Sequence, residues 1–134
     1  MSISEFFNKY CGKKIDFDRA YGFQCVDLFR QYCYDVVGSP HTGTVKRAKE
    51  LFTQYDSLPV EKEYFTRIPA SDVKYYKTGD VIVWGTGTCG HVAIVVGATP
   101  SGIVVFEQDG YAQDGAKFSL RTYGGVLGVL RCEK

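Results

Sequence analysis

The chain changes character near Gly79, and that change limits its fold more than any other feature of the sequence. Before it, apolar residues recur at three and four positions, the spacing of a helix. After it come short β-branched runs at 81–84, 91–96 and 102–107, with two weaker ones at 117–123 and 126–131. Glycine-bearing turns at 85–90 and 97–101 separate the first three and predict antiparallel pairing. Helices followed by an antiparallel sheet define an α+β class. Nothing in composition or spacing marks a linker or a repeat, so 1–134 reads as a single domain.

The helical half has three parts. Ser2 with Glu5 is a capping-box pattern, followed by the apolar face Phe6, Phe7 and Tyr10. Cys25, Leu28, Phe29, Tyr32, Cys33 and Val36 form one stripe of a central helix, which Gly38 and Pro40 end. Val45, Ala48, Leu51, Phe52 and Tyr55 predict a second substantial helix over 45–55. Between 56 and 77, Pro59 and Pro69 predict a loop, with one short strand near 64–68.

Sixteen basic and fifteen acidic side chains leave a net charge of +1, which gives no general attraction to nucleic acid or to a membrane surface. No window approaches the roughly eighteen apolar residues of a spanning helix. The N-terminal residues lack a basic segment followed by an apolar run, so no secretory signal is expected. Five cysteines without a CxxC pair argue against a zinc knuckle or a thioredoxin-type motif. A bond between Cys11 and Cys132 is left open.

The chemistry centres on Cys25. It begins the central helix, where unpaired amides and the helix dipole favour the nucleophilic thiolate. A thiolate nucleophile needs a base, and the base needs an orienting group. Of the two histidines, His41 lies in a polar loop and reads as a surface residue. His91 opens a strand after a glycine-rich turn, where its ring can face a groove. Glu107 and Asp109 end the next strand on one face, so hairpin pairing brings an acid to His91, and either could hold the ring. Gln24 precedes Cys25; its amide and the Cys25 N–H could form an oxyanion hole, or Gln24 could simply lead into the helix. Cys33 lies on the core stripe. Cys89 sits in the turn beside His91 without further ligands for a metal.

The segments GFQCVDL, GDVIVWG…GHVAIVVG and VFEQDG resemble the cysteine, histidine-dependent amidohydrolase/peptidase (CHAP) domain, and the N-terminal stretch is most similar to phage endolysin versions. The resemblance implies a papain-like fold with N-terminal helices packed on a small antiparallel sheet, and hydrolysis of amide bonds in bacterial peptidoglycan. It assigns Cys25 as nucleophile, His91 as base, Glu107 as orienting acid and Gln24 as oxyanion donor. The family often has asparagine where Asp109 stands; a second carboxylate there would raise the histidine pKa. The resemblance also implies synthesis in the host bacterial cytoplasm, action on the wall after release, and a possible separate wall-binding domain or subunit.

A calcium site is expected to overlap this one. Asp16, Asp18, Ala20, Gly22 and Asp27 fall at positions 1, 3, 5, 7 and 12 of a twelve-residue loop, the spacing of an EF-hand. Alanine at position 5, Tyr21 at position 6 and aspartate at position 12 depart from that pattern. Some CHAP endolysins are similar, binding calcium in the loop before the cysteine. Two other functions fit the same scaffold: a papain-like peptidase acting on protein, and a non-catalytic wall-binding or phage structural module.

Overall fold

The computed structural model describes residues 1–17, 24–40, 42, 45–108 and 115–132. His41, Asp109 and three of the expected calcium ligands, Asp18, Ala20 and Gly22, lie outside them.

Helix α1 (Ile3–Tyr10) begins at Ser2, whose hydroxyl accepts the Glu5 N–H while the Glu5 carboxylate accepts the Ser2 N–H. Helix α2 (Cys25–Tyr32) continues as a π-helical turn over Cys33–Val37 and ends at Gly38 in the left-handed conformation. Tyr10 and Gln31 both donate to the Asp35 carboxylate, which ties α1 to the end of this helix.

Two expectations fail between these helices and the sheet. The helix expected over 45–55 shortens to α3 (Glu50–Thr53) with a 3-10 turn at Tyr55–Ser57. The Lys49 N–H is donated to Cys89 O, in the turn before His91, instead of to a helical carbonyl. Glu50 also draws the Lys46 and Arg47 amides onto its carboxylate. In the stretch expected to be a loop, Pro59 starts helix α4 (Pro59–Tyr64) instead of breaking structure, since proline at the first helical position forfeits an N–H that has no partner anyway. A 3-10 helix follows at Ala70–Tyr75.

The strands are β1 (Phe65–Pro69), β2 (Val81–Trp84), β3 (His91–Thr99), β4 (Gly102–Glu107), β5 (Lys117–Arg121) and β6 (Val126–Cys132). They form one six-stranded antiparallel sheet in the order β1-β6-β2-β3-β4-β5. Strand alternation sorts the side chains into two cores. Val81, Val83, Val92, Ile94 and Phe106 face α1 and α2 and pack with Phe6, Leu28 and Phe29. Ile82, Trp84, Ala93, Val95, Ile103 and Val105 face the other way and form a second cluster with Tyr76 and Val129. The sheet curls around this second cluster: Trp84 Nε1, at the end of β2, donates to Thr122 O, just past β5, at 3.3 Å. This is the α+β, papain-like arrangement the sequence implies.

The candidate active site

His91 begins β3 and Glu107 ends β4. Both have the parity of the second core, so both side chains lie inside the curl of the sheet. His91 Nε2 is 2.8 Å from Glu107 Oε1. The same oxygen accepts from Arg121 Nε of β5 at 2.5 Å, and the Arg121 guanidinium lies over the Trp84 ring, 5.4 Å from its centroid. The Trp84 and His91 rings are 5.6 Å apart. An aromatic wall, an imidazole, a carboxylate and a guanidinium therefore share one end of the sheet.

Cys25 comes from the other layer. It is the first residue of α2, partly buried, and α2 packs on β3. Its thiol lies close enough to His91 to act on the charge of the imidazole. The first and second halves of the chain thus meet at one rim, with the sulfur supplied by the helices and the imidazole by the sheet.

The electrostatics fix the imidazole's orientation. Burial works against the Glu107 carboxylate, but hydrogen bonds from His91, Arg121 and Ser119 outweigh it and hold its pKa at about 2. An ionised carboxylate only accepts, so Nε2 must carry a proton and donate it. That leaves Nδ1 for the Cys25 thiol. Burial likewise presses the His91 pKa down, yet hydrogen bonding to Cys25 and to Glu107, with their charges, raises it to about 9. The arrangement favours an imidazolium at neutral pH.

Gln24 caps α2, and its backbone N–H donates to Asp27 Oδ2 at 2.9 Å. Cys25 stands at the first helical position, whose N–H has no carbonyl within the helix to meet. Asp27 is buried at 1% exposure, and its carboxylate caps the helix start.

For the expected calcium loop, Asp16 and Asp27 are the two described positions. Asp16 Oδ1 is buried and has no hydrogen-bond partner among the described residues. A buried carboxylate oxygen of this kind suits a hard cation. Asp27 already serves the helix, so it fits less simply. Among the described residues no three His, Cys, Asp or Glu side chains cluster as a metal centre. Cys11, Cys25, Cys33, Cys89 and Cys132 are all free thiols.

Two contributors escaped the sequence reading. Arg121 lies in an exposed alternating strand, KFSLR, which gives no hint that it reaches Glu107. Gln108 is completely buried next to Glu107 and bonds to backbone on both sides of the 16–23 segment. Its one local signal is a polar residue continuing a buried strand.

The CHAP domain model matches residues 14–109, most of the chain, and leaves α1, β5 with Arg121, and β6 outside the match. The chain belongs to the CHAP domain family. Endolysin PlyTW of Staphylococcus phage Twort is 33% identical over 131 aligned residues, covering 87% of this chain and 26% of that protein. Among solved structures, the wild type endolysin LysIME-EF1 superposes with a TM-score of 0.70 at 24% identity, covering 98% of this chain and 64% of that one. Ly7917 superposes with a TM-score of 0.72 at 14% identity, covering 98% of this chain and 63% of that one. The chain therefore spans about a quarter of PlyTW and under two thirds of either solved relative.

Proposed function

We propose that the protein is a peptidoglycan hydrolase that cleaves amide bonds through an acyl-enzyme on Cys25. The observation that carries this reading is the His91–Glu107 hydrogen bond at the rim between helices and sheet, with Cys25 at the start of α2 beside it. Membership of the CHAP family and likeness to phage endolysins supply the substrate class.

The Cys25 thiolate attacks the scissile carbonyl carbon, and the carbonyl π electrons move to oxygen. The Gln24 amide and the Cys25 N–H would donate to that oxyanion. The C–N bond then breaks as His91, protonated at Nδ1, gives its proton to the departing nitrogen. Water, deprotonated by the now neutral His91, attacks the thioester and releases the carboxylic acid and Cys25. Glu107 stays ionised throughout, keeps Nε2 protonated and steadies the imidazolium. Arg121 keeps Glu107 ionised. Asp109, two residues beyond Glu107 in sequence, would serve as a second acidic group of the reaction.

The bond cut is an N-acetylmuramoyl-L-alanine amide or a peptide bond of the stem or cross-bridge. Calcium would be held by Asp16, Asp18 and Asp27 with the carbonyls of Ala20 and Gly22; the orphaned Asp16 oxygen supports this. A bound ion would supply positive charge that fixes the chain entering α2, and it takes no part in bond cleavage. The enzyme acts on the wall after release from the cell that makes it. No helix among the described residues is long and apolar enough to cross a membrane. Wall targeting would come from a separate domain or subunit, as the greater length of the relatives suggests.

Mass spectrometry of purified walls after digestion tests the reading. New N-terminal alanine on stem peptides indicates amidase action, and new cross-bridge termini indicate endopeptidase action. Absence of any soluble muropeptide, with turnover of a protein substrate, would assign the site to a general peptidase instead.

A further inference from the structure

Gln108 is 0% exposed, yet it is a polar residue, directly after the end of β4. Burying an unsatisfied carboxamide costs several kcal/mol in an apolar setting, on the order of the larger transfer values. Here it is satisfied in a particular way. Gln108 Oε1 accepts the Ile15 N–H at 2.7 Å. Gln108 Nε2 donates to Ile15 O at 2.6 Å and to Gln24 O at 3.0 Å. Both N–H bonds of the carboxamide and one oxygen lone pair are thus spent on backbone.

The partners matter more than their number. Ile15 and Gln24 bracket the 16–23 segment, and Gln24 is covalently bonded to Cys25. Gln108 is covalently bonded to Glu107, which holds His91. The carboxamide therefore closes the shortest route between the two halves of the site: Glu107, Gln108, the Gln24 carbonyl, Cys25. Helix α2, which Cys25 begins, also packs on β3, which His91 begins, so the two halves meet there as well.

We propose that Gln108 is the positioning residue that sets Cys25 against His91, by clamping the carbonyl that precedes the nucleophile to the strand end that carries Glu107. The inference rests on the proposed roles of Cys25 and His91 and adds to them the device that fixes their separation. A displacement of about 1 Å at such a pair costs on the order of a hundredfold in rate, which is why a buried polar clamp is worth keeping at this point. The requirement is specific. A side chain here must reach both backbone segments, accept from one and donate to both. Glutamate has the shape but not the donors, and methionine has the length but neither.

The test reads the nucleophile directly. Site-resolved mass spectrometry follows iodoacetamide alkylation of Cys25 and of Cys89, an exposed thiol of the same chain that serves as internal reference. At about pH 6 ordinary thiols react slowly, whereas a thiolate held by an imidazolium reacts fast. In the wild type, Cys25 should outpace Cys89 by about tenfold or more at that pH. Gln108→Met and Gln108→Glu, each assayed well below its own melting temperature, should bring the ratio at about pH 6 close to one while leaving the alkaline rates within about threefold. Wall lysis should fall in parallel, by about ten- to a hundredfold.

A purely structural role would lower the melting temperature and leave the ratio at its wild-type value in the folded protein. That result in both variants would overturn the proposal, as would failure of both variants to fold at any temperature. A wild type without the Cys25 advantage would overturn the nucleophile assignment itself, and the positioning role with it. The two failures are therefore distinct.

Discussion

His91 and Glu107 face each other across adjacent antiparallel strands, with Nε2 and Oε1 2.8 Å apart, and this contact decides which imidazole nitrogen meets the Cys25 thiol. Glu107 is ionised and can only accept, so Nε2 donates and Nδ1 is left for sulfur. The acid does its work by being unprotonatable in the working pH range.

The first prediction follows from that contact. Glu107→Gln removes a negative charge from the imidazolium and lowers the His91 pKa from about 9. Leaving-group protonation requires the imidazolium, so activity should persist toward pH 9 in the wild type and its alkaline limb should move to lower pH in the variant. Lysis rate at neutral pH should fall about a hundredfold. Rate against pH on purified walls checks both; an unmoved alkaline limb would contradict the assignment.

Arg121 makes a separate prediction for the acid side. The folded Glu107 pKa lies below the ordinary glutamate value of 4.5, at about 2. Its stabilising contribution is therefore complete above about pH 4.5 and is lost as pH falls toward 2. Arg121→Met deletes one of the bonds that hold it down, so part of that contribution is missing wherever Glu107 is ionised. Melting temperature measured from pH 7 to pH 2 should be lower in the variant above about pH 4.5, modestly because the Arg121 side chain is 38% exposed, and should converge on the wild type as pH falls toward 2.

Gly90 fixes the turn that delivers His91. Its φ is +71°, and a Cβ there would stand 2.4 Å from Trp84 O and 2.6 Å from Lys49 Cβ. Gly90→Ala should destabilise the fold by about 2–4 kcal/mol, through backbone strain and displacement of the 45–49 segment. Thermal unfolding checks this, and a melting temperature within a degree of wild type would contradict it.

For calcium, EDTA should lower both the melting temperature and lysis, and added calcium should restore them. Asp16→Asn should abolish the response to calcium without abolishing the alkylation of Cys25. A protein indifferent to both treatments would remove the metal from the account.

How much of this was legible in the sequence depends on where each interaction partner lies. The capping box of α1, the stripe of α2 and the strands of the second half depend on neighbours a few residues away, and the structure agrees with each. The helix expected over 45–55 had the right stripe, but Lys49 gives its amide to Cys89, forty residues distant in sequence order, and no local pattern carries that. Pro59 was read as a breaker because its role depends on whether a helix follows it. That Cys25, His91 and Glu107 come to one rim was legible because a cysteine at a helix start and a histidine and an acid at the ends of paired strands are chemically distinctive. Gln108 was not, since its partners Ile15 and Gln24 are 93 and 84 positions away and a glutamine has no signature of its own.

The most direct measurement is the clearing of a suspension of purified bacterial walls by equal amounts of folded wild type, Cys25→Ala and His91→Ala. The account predicts that wild type clears the suspension and releases muropeptides, while both variants keep their melting temperatures within a few degrees and lose activity by about a thousandfold or more. Clearing by either variant at the wild-type rate would contradict it.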